Sequence, residues 1–181
     1  MSDKMVISLM ARDQVGMVAE IAGVVSRLGG NIEDISQTVT RGYFSMILVV
    51  QFQKKISPAA IRSALNAAEQ LSDASIGVCE LRHVPAPSPP DSDNRYVLTV
   101  SGPDRSGLVA EVAGYLRERN INIVDLASLI NQGEYTMMFL VDLPPDTDVS
   151  KLRNSLQMNL ESLSLQVELR HQALFRKTNE I

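Results

Sequence analysis

Hydrophobic and polar positions along the chain alternate between two rhythms, and the whole series then repeats. Met5–Met10 is apolar and rich in strand formers. A polar turn follows, Ala11-Arg12-Asp13-Gln14-Val15-Gly16. Val18, Ile21, Ala22, Val25 and Leu28 then recur at helical spacing, which predicts a helix over Gly16–Leu28 with one buried face. Gly29-Gly30 closes that helix, because glycine tolerates a left-handed cap. Asn31–Thr40 and Tyr43–Phe52 read as strands around the short turn Arg41-Gly42. Ser57-Pro58 opens a second helix, with proline suited to the first turn and Ile61, Ala64, Leu65, Ala68 and Leu71 as its buried stripe. Ser75–His83 is a last strand.

Laid over itself with a shift of 91 residues, Val6–Phe52 matches Val97–Leu143 without a gap. The matches include Asp13/Asp104, Gly16/Gly107, Val18/Val109, Glu20/Glu111, Asn31/Asn122, Ile32/Ile123, Asp34/Asp125, Gly42/Gly133 and Met46/Met137. Past a three-residue length difference, Glu80-Leu81-Arg82-His83 returns as Glu168-Leu169-Arg170-His171. The second copy therefore runs Tyr96–Ser101, Ser106–Arg119, Asn122–Asn131, Tyr135–Asp142, Val149–Ser162 and Leu165–Leu174. The order is β-α-β-β-α-β twice, which predicts an α+β protein of two tandem ferredoxin-like modules with antiparallel sheets. Right-handed crossovers put both helices of a module on one face of its sheet. Met46–Val50 and Met137–Val141 are apolar on both faces, so the other side calls for a cover, with a partner module or a second chain the simplest. The expected division is a first module over 1–83, a linker over 84–94, a second module over 95–174 and a tail over 175–181. Four prolines in the ten residues Val84–Asp93 mark the linker as a semi-rigid spacer rather than a ligand for a proline-reading partner.

Composition narrows the function classes. The 181 residues are 45% hydrophobic and 21% charged, with a net charge of −4. The basic residues are scattered, and direct nucleic-acid binding needs clustered Lys and Arg. Trp is absent and aromatics make up 4%, so stacking platforms for single strands are not expected. Apolar runs stop far short of the roughly 20 residues of a membrane span. With no apolar signal core at the N-terminus, a cytoplasmic protein is expected. The lone Cys79 excludes an intrachain disulfide, and two histidines with one cysteine make no typical zinc site. No nucleophile–base pair or phosphate loop of recognised spacing appears, so neither an enzyme nor a bound cofactor is expected.

The turn before each first helix is the place where a ligand fits. A helix N-terminus presents unpaired N–H groups and a partial positive charge, and a glycine there permits close backbone approach. A carboxylate or phosphate is stabilised at such a place. Asp13 and Asp104 are open to two roles, capping the helix or binding an ammonium group. The two chemistries together suit a zwitterion such as an amino acid.

The turn Asp-x-x-Gly-(Leu/Met)-Val, followed by Asn-Ile, occurs in both copies. It reads Asp13-Gln14-Val15-Gly16-Met17-Val18 with Asn31-Ile32, and Asp104-Arg105-Ser106-Gly107-Leu108-Val109 with Asn122-Ile123. This pattern resembles the ACT domain, over nearly the whole chain except the linker and the tail Gln172–Ile181. Two copies without an attached enzyme are similar to the glycine cleavage system transcriptional repressor group. The resemblance implies regulatory modules that bind small molecules, often amino acids, where the turn of one module faces the second strand of a neighbour. It also implies that modules pair through helices or edge strands. Backbone N–H groups of Asp13–Val18 and Asp104–Val109 would then hold a carboxylate, and Asn31 and Asn122 the amino group. Gln14 and Val15 stand where the second copy has Arg105 and Ser106, so the two copies need not bind the same ligand.

Other residues have plainer roles. Glu168 and Arg170, like Glu80 and Arg82, share one side of a strand and read as solvated cross-strand ion pairs. Their neighbours His83 and His171 are expected to be exposed. Glu20 and Glu111 lie in first helical turns and offset the helix dipole. Ala19, Ala22 and Gly23, with Ala110, Ala113 and Gly114, form small-residue faces for helix–sheet packing. Met46, Met137 and Met138 are expected in the core, and Cys79 buried in its strand. The resulting expectation is a small-molecule-sensing regulatory protein, a homodimer, acting through a protein partner such as a transcription regulator. The alternative is a constitutive scaffold without a ligand. An open turn at Asp104–Gly107 favours the sensor, and a turn filled by its own side chains favours the scaffold.

Overall fold

The computed structural model describes residues 3–82, 94–131, 133–161 and 164–173. The proline-rich linker, His83 and the tail from residue 174 lie outside them. The chain divides into two compact units, Met1–Pro85 and Ala86–Ile181.

The first unit runs β1 (Asp3–Arg12), α1 (Met17–Arg27), β2 (Gly30–Thr40), β3 (Tyr43–Phe52), α2 (Pro58–Asn66), a 3-10 turn (Glu69–Leu71) and β4 (Ser75–Glu80). The second runs β5 (Arg95–Pro103), α3 (Leu108–Glu118), β6 (Asn122–Asn131), β7 (Glu134–Asp142), α4 (Val149–Glu161) and β8 (Gln166–His171). The sheets are antiparallel, in the orders β2-β3-β1-β4 and β6-β7-β5-β8. The expected tandem ferredoxin-like architecture is present in both halves.

Strand alternation decides what is buried. Met5, Ile7 and Leu9 of β1 and Met46, Leu48 and Val50 of β3 are at most 4% exposed, beneath the helices. The residues between them, such as Met10 and Ile47 at 53% and 55%, look out from the helix-free face. Met138, expected in the core, is 40% exposed on the corresponding face of the second sheet, because Met137 takes the inward position. The buried stripe of α1 is Met17, Ile21, Val24 and Val25. Val18 is 44% exposed, so the helix is rotated from the predicted face by one position. Ala19 and Ala110 are exposed and Ala22, Gly23, Ala113 and Gly114 half-buried, so these small-residue faces lie at the margin of their own core.

Helix ends follow local chemistry. The Ser57 hydroxyl accepts from the Ala60 N–H at 3.2 Å, with Pro58 in the first turn of α2. That helix stops at Asn66, and Ala68 and Leu71 reach the core from the 3-10 segment instead of from a continuous stripe. Its counterpart α4 runs 13 residues against 9. The Asp148 carboxylate accepts from the Lys151 N–H at 3.0 Å at the start of α4. That backbone bond, foremost, holds its carboxyl below the ordinary value of 3.8.

The register of the last strands overturns one part of the repeat. Val6 pairs with Cys79, and Val97 with Arg170, so the offset is still 91 residues there. Glu80 lies opposite Met5 at the end of β4, whereas Glu168 lies opposite Thr99 inside β8. The two Glu-Leu-Arg-His segments are therefore three positions out of step. Leu169 is buried and Leu81 is 40% exposed. Glu168 and Arg170 pair along one strand, with Nε to Oε1 at 2.7 Å, rather than across two. His171 is half-buried, edge-on to Tyr96 with ring centroids 5.0 Å apart. Cys79, expected buried, is exposed.

Two consequences are measurable by urea unfolding. A Cβ on Gly30 meets Phe52, Val25 and Val50 carbons at 2.8 Å, so Gly30→Ala should cost about 1–3 kcal/mol. A Cβ on the helical Gly114 meets nothing within 4 Å, so Gly114→Ala should stabilise by about 0.5–1 kcal/mol. The depressed carboxyl of Asp148 gives a pH dependence of known sign. Its stabilisation of α4 is present above 3.8 and is lost as pH falls through its lower folded value. Acid titration of helicity below pH 3.8 should show this loss, and Asp148→Ala should remove it.

Candidate functional site

In each module the turn after the first strand is pinned to the hairpin turn beside it. The Asp13 N–H donates to the Gly42 carbonyl at 2.9 Å, and the Asp104 N–H to the Gly133 carbonyl at 3.2 Å. Gly16 and Gly107 stand at the helix N-cap with φ of 98° and 92°, a conformation costly for residues with a Cβ. Neither helix start has a side-chain cap. Asp13 and Asp104 therefore do not cap, and their exposed carboxylates are left for other use.

The predicted residues divide by burial. Gln14, Val15, Arg105 and Ser106 are exposed, Val15 at 98%. Met17 and Leu108 are each 1% exposed, anchored in the core, so only their backbone N–H groups remain for a ligand. Val18 and Val109 are partly exposed on the first helical turn. Asn31 and Asn122 are exposed, and Ile32 and Ile123 half-buried, at the beginning of β2 and β6.

A module does not bring its asparagine to its own turn. Asn31 pairs with Gln51, which pairs with Lys4, whereas the turn leaves β1 after Arg12. At about 3.3 Å per residue, the two groups lie about 30 Å apart at opposite ends of the sheet. Asn122 and the turn after Pro103 are separated in the same way. Sequence proximity along a hairpin hides this, because β2 returns antiparallel to β3. A ligand touching both groups needs two modules.

The two turns differ in access. The Gln70 side chain lies over Gly16, with its amide oxygen 3.4 Å from where a Cβ would stand. Nothing comes within 4 Å of the same position on Gly107. In the second turn Arg105 folds onto Glu111 of the first helical turn, with Nη2 to Oε2 at 2.7 Å. Glu111 thus has an ion-pair partner besides the helix dipole. Both side chains are more than a third exposed, so the pair is easily parted.

Sequence reasoning missed Gln70 and the cleft beyond it, about 770 Å³, bounded by the end of β1, the start of β3 and the approach to β4. No periodicity marks those residues. Also unanticipated is Arg95, 6% exposed, bound to Asp142 through Nε at 2.7 Å and Nη2 at 3.0 Å. It locks the first residue of β5 to the last of β7. Among the described residues no three His, Cys, Asp or Glu side chains come together to hold a metal. Among them, too, no helix is long and apolar enough to cross a membrane.

A family model described as ACT domain matches residues 3–78 and again 94–170. The UPF0237 protein of Methanosarcina acetivorans is 32% identical over 91 residues, which is 50% of this chain and 99% of that protein. That relative is thus the length of one module. A solved protein of unknown function from Galdieria sulphuraria aligns over 94% of this chain and 98% of its own, with TM-score 0.75 and 25% identity. A candidate glycine cleavage system transcriptional repressor aligns over 94% and 97%, with TM-score 0.69 and 17% identity, a likeness of fold.

The positive φ at Gly107 gives a direct test of the turn. Gly107→Ala should destabilise by about 1–2 kcal/mol, read from urea midpoints, although open space surrounds the new methyl. Cys79 should react with a thiol reagent stoichiometrically in the folded protein, without prior unfolding.

Proposed function

The chain belongs to the ACT domain family, and on that premise we propose that it is a regulatory protein sensing a small molecule, an amino acid, and passing the signal to a partner protein. The observation that carries this reading is the open turn at Asp104–Gly107, where helix N–H groups, an uncommitted carboxylate and an exposed guanidinium face solvent without an obstructing side chain. A carboxylate is stabilised by the N–H groups and Arg105, and an ammonium by Asp104. The 30 Å separation of turn and asparagine within a module favours a ligand held between modules, with Asn122 or Asn31 contributed by a neighbour.

Such a ligand acts by linkage. It binds the arrangement of modules that brings turn and asparagine together, and favours that arrangement by its difference in affinity. Dimerisation supplies neighbours. β2 and β6 are sheet edges of 11 and 10 residues, and Ile35 and Ile130 on them are 48% and 50% exposed. Long apolar edges invite a second chain. A role in glycine cleavage regulation, through a transcription regulator and in the cytoplasm, is one setting for such a sensor. The scaffold reading has one observation in its favour, the Gln70 side chain over Gly16, which fills the first turn from within.

Thermal unfolding of the dialysed protein with each amino acid singly, at millimolar concentration, tests the sensor. One or a few should raise the midpoint, because a ligand of the folded state must. Gly107→Leu should remove the share of the rise that binding at this turn contributes, whatever its own midpoint. No rise with any amino acid transfers the function to the scaffold. Light scattering should give twice the 19.9 kDa chain mass, and Ile35→Lys with Ile130→Lys should reduce it to one.

A further inference from the structure

The two modules share their strand register but not the segment between the second helix and the last strand. In the second module α4 runs on to Glu161, and Leu165 packs down on Gly102, with its Cδ2 2.7 Å from where a Cβ would stand. The corresponding hollow is small, about 330 Å³. In the first module α2 ends four residues earlier by the same 91-residue offset. Leu71 of the 3-10 turn enters the core, while Gln70, Ser72 and Asp73 beside it are exposed along the cleft of about 770 Å³.

The walls of this cleft are polar with both signs of charge. Arg12 and Tyr43 are cross-strand partners, and Met10 lies two residues before Arg12 on the same helix-free face. Across from them stand Gln70 and Asp73, and Gln14 lies at the edge of the turn. Among the described residues, the side chains of Arg12, Gln14, Tyr43, Gln70 and Asp73 make no hydrogen bond or ion pair with one another or with the rest of the module. One guanidinium, Arg12, and two carboxylates, Asp73 and Glu69, around one concavity match a molecule that carries both charges. Met10 and Tyr43, each 53% exposed, add an apolar floor. In the second module the places of Arg12 and Tyr43 are taken by Pro103 and Glu134, and that of Gln14 by Arg105, which is engaged by Glu111. The constellation belongs to the first module alone.

We propose that this cleft is a second amino-acid site, built within the first module. Arg12 receives the ligand carboxylate, Asp73 its ammonium, Gln14 and Gln70 add amide hydrogen bonds, and an apolar ligand side chain lies on Met10 and Tyr43. The proposal extends the sensing function and rests on it for the class of ligand; from the helix N-terminal turns it uses the Gln14 side chain and none of their free N–H groups, and it needs no neighbouring module. Because the Gln70 side chain also covers Gly16, occupation of the cleft is positioned to move the cover of the first turn.

The test is amide-resolved NMR of the isotope-labelled full chain, titrated with the proteinogenic amino acids singly at millimolar concentration. The expected result is saturable shifts at residues 69–75, 10–14 and 43 with amino acids of apolar side chain. Arg12→Gln and Asp73→Asn should each weaken the affinity at least about tenfold, as should removing the ammonium or the carboxylate from the ligand. Gly107→Leu should leave these shifts unchanged. Shifts at 104–109 without any at 69–75 overturn the cleft and leave the sensor standing. Shifts at 69–75 that survive both charge substitutions overturn the assigned recognition. No shift anywhere with any amino acid overturns the cleft and the sensor together.

Discussion

Everything in a module hangs on the register of its central strand. β1 is bonded on both sides, and Met5, Ile7 and Leu9 all enter the core from it. A one-residue slip would bring Val6, Ser8 and Met10 under the helices and expel the core set. The same register fixes where the chain leaves the sheet. It sets Arg12 opposite Tyr43, and from there the turn bonds to the hairpin through Asp13 and Gly42. The helix that follows begins at Gly16 because the chain must reverse over the sheet face within a few residues. The open groups of the turn are thus a product of the sheet's closure.

The second module obeys the same constraint with different residues. Val97 and Arg170 repeat the pairing of Val6 and Cys79, and Arg95 adds a part-buried ion pair with Asp142 at the corner where the first module has the exposed Lys4, bonded to Glu33 at 2.7 Å. With the frame held constant, the modules diverge where the frame is indifferent. One has a short helix, a 3-10 turn and a wide cleft, with a covered Gly16. The other has a long helix, Leu165 packed on Gly102 and an open Gly107. Two copies of one fold therefore present different surfaces at equivalent places.

Much of this was legible in the residues. Period-two and helical patterning marked the elements, and the 91-residue repeat doubled every signal. Gly16 and Gly107 marked the turns as places of close backbone approach, and the structure adds that both take a positive φ. The errors have identifiable causes. Val18 kept helical spacing with Ile21 and Leu28, but Met17 keeps it too, and only packing chose between them. The repeated Glu-Leu-Arg-His segment was a true likeness of letters without a likeness of place, since hydrogen-bond register, not identity, sets structural equivalence. Cys79 sits on an edge strand, facing away from the helices, and a sequence carries no mark of which edge goes uncovered.

The sequence by itself determined the element order, the doubling, the one-sided cores and the two glycine turns. These depend on local propensity and on periodicity, both properties of neighbouring residues. The tertiary structure alone decided that Asn31 lies at the far end of the sheet from its own turn, and that Gln70 rather than solvent meets Gly16. It alone gathered Arg12, Tyr43 and Asp73 around one cleft. Those relations join residues distant in the chain through the antiparallel return of strands and the path of a single connection. No local pattern encodes such a distance.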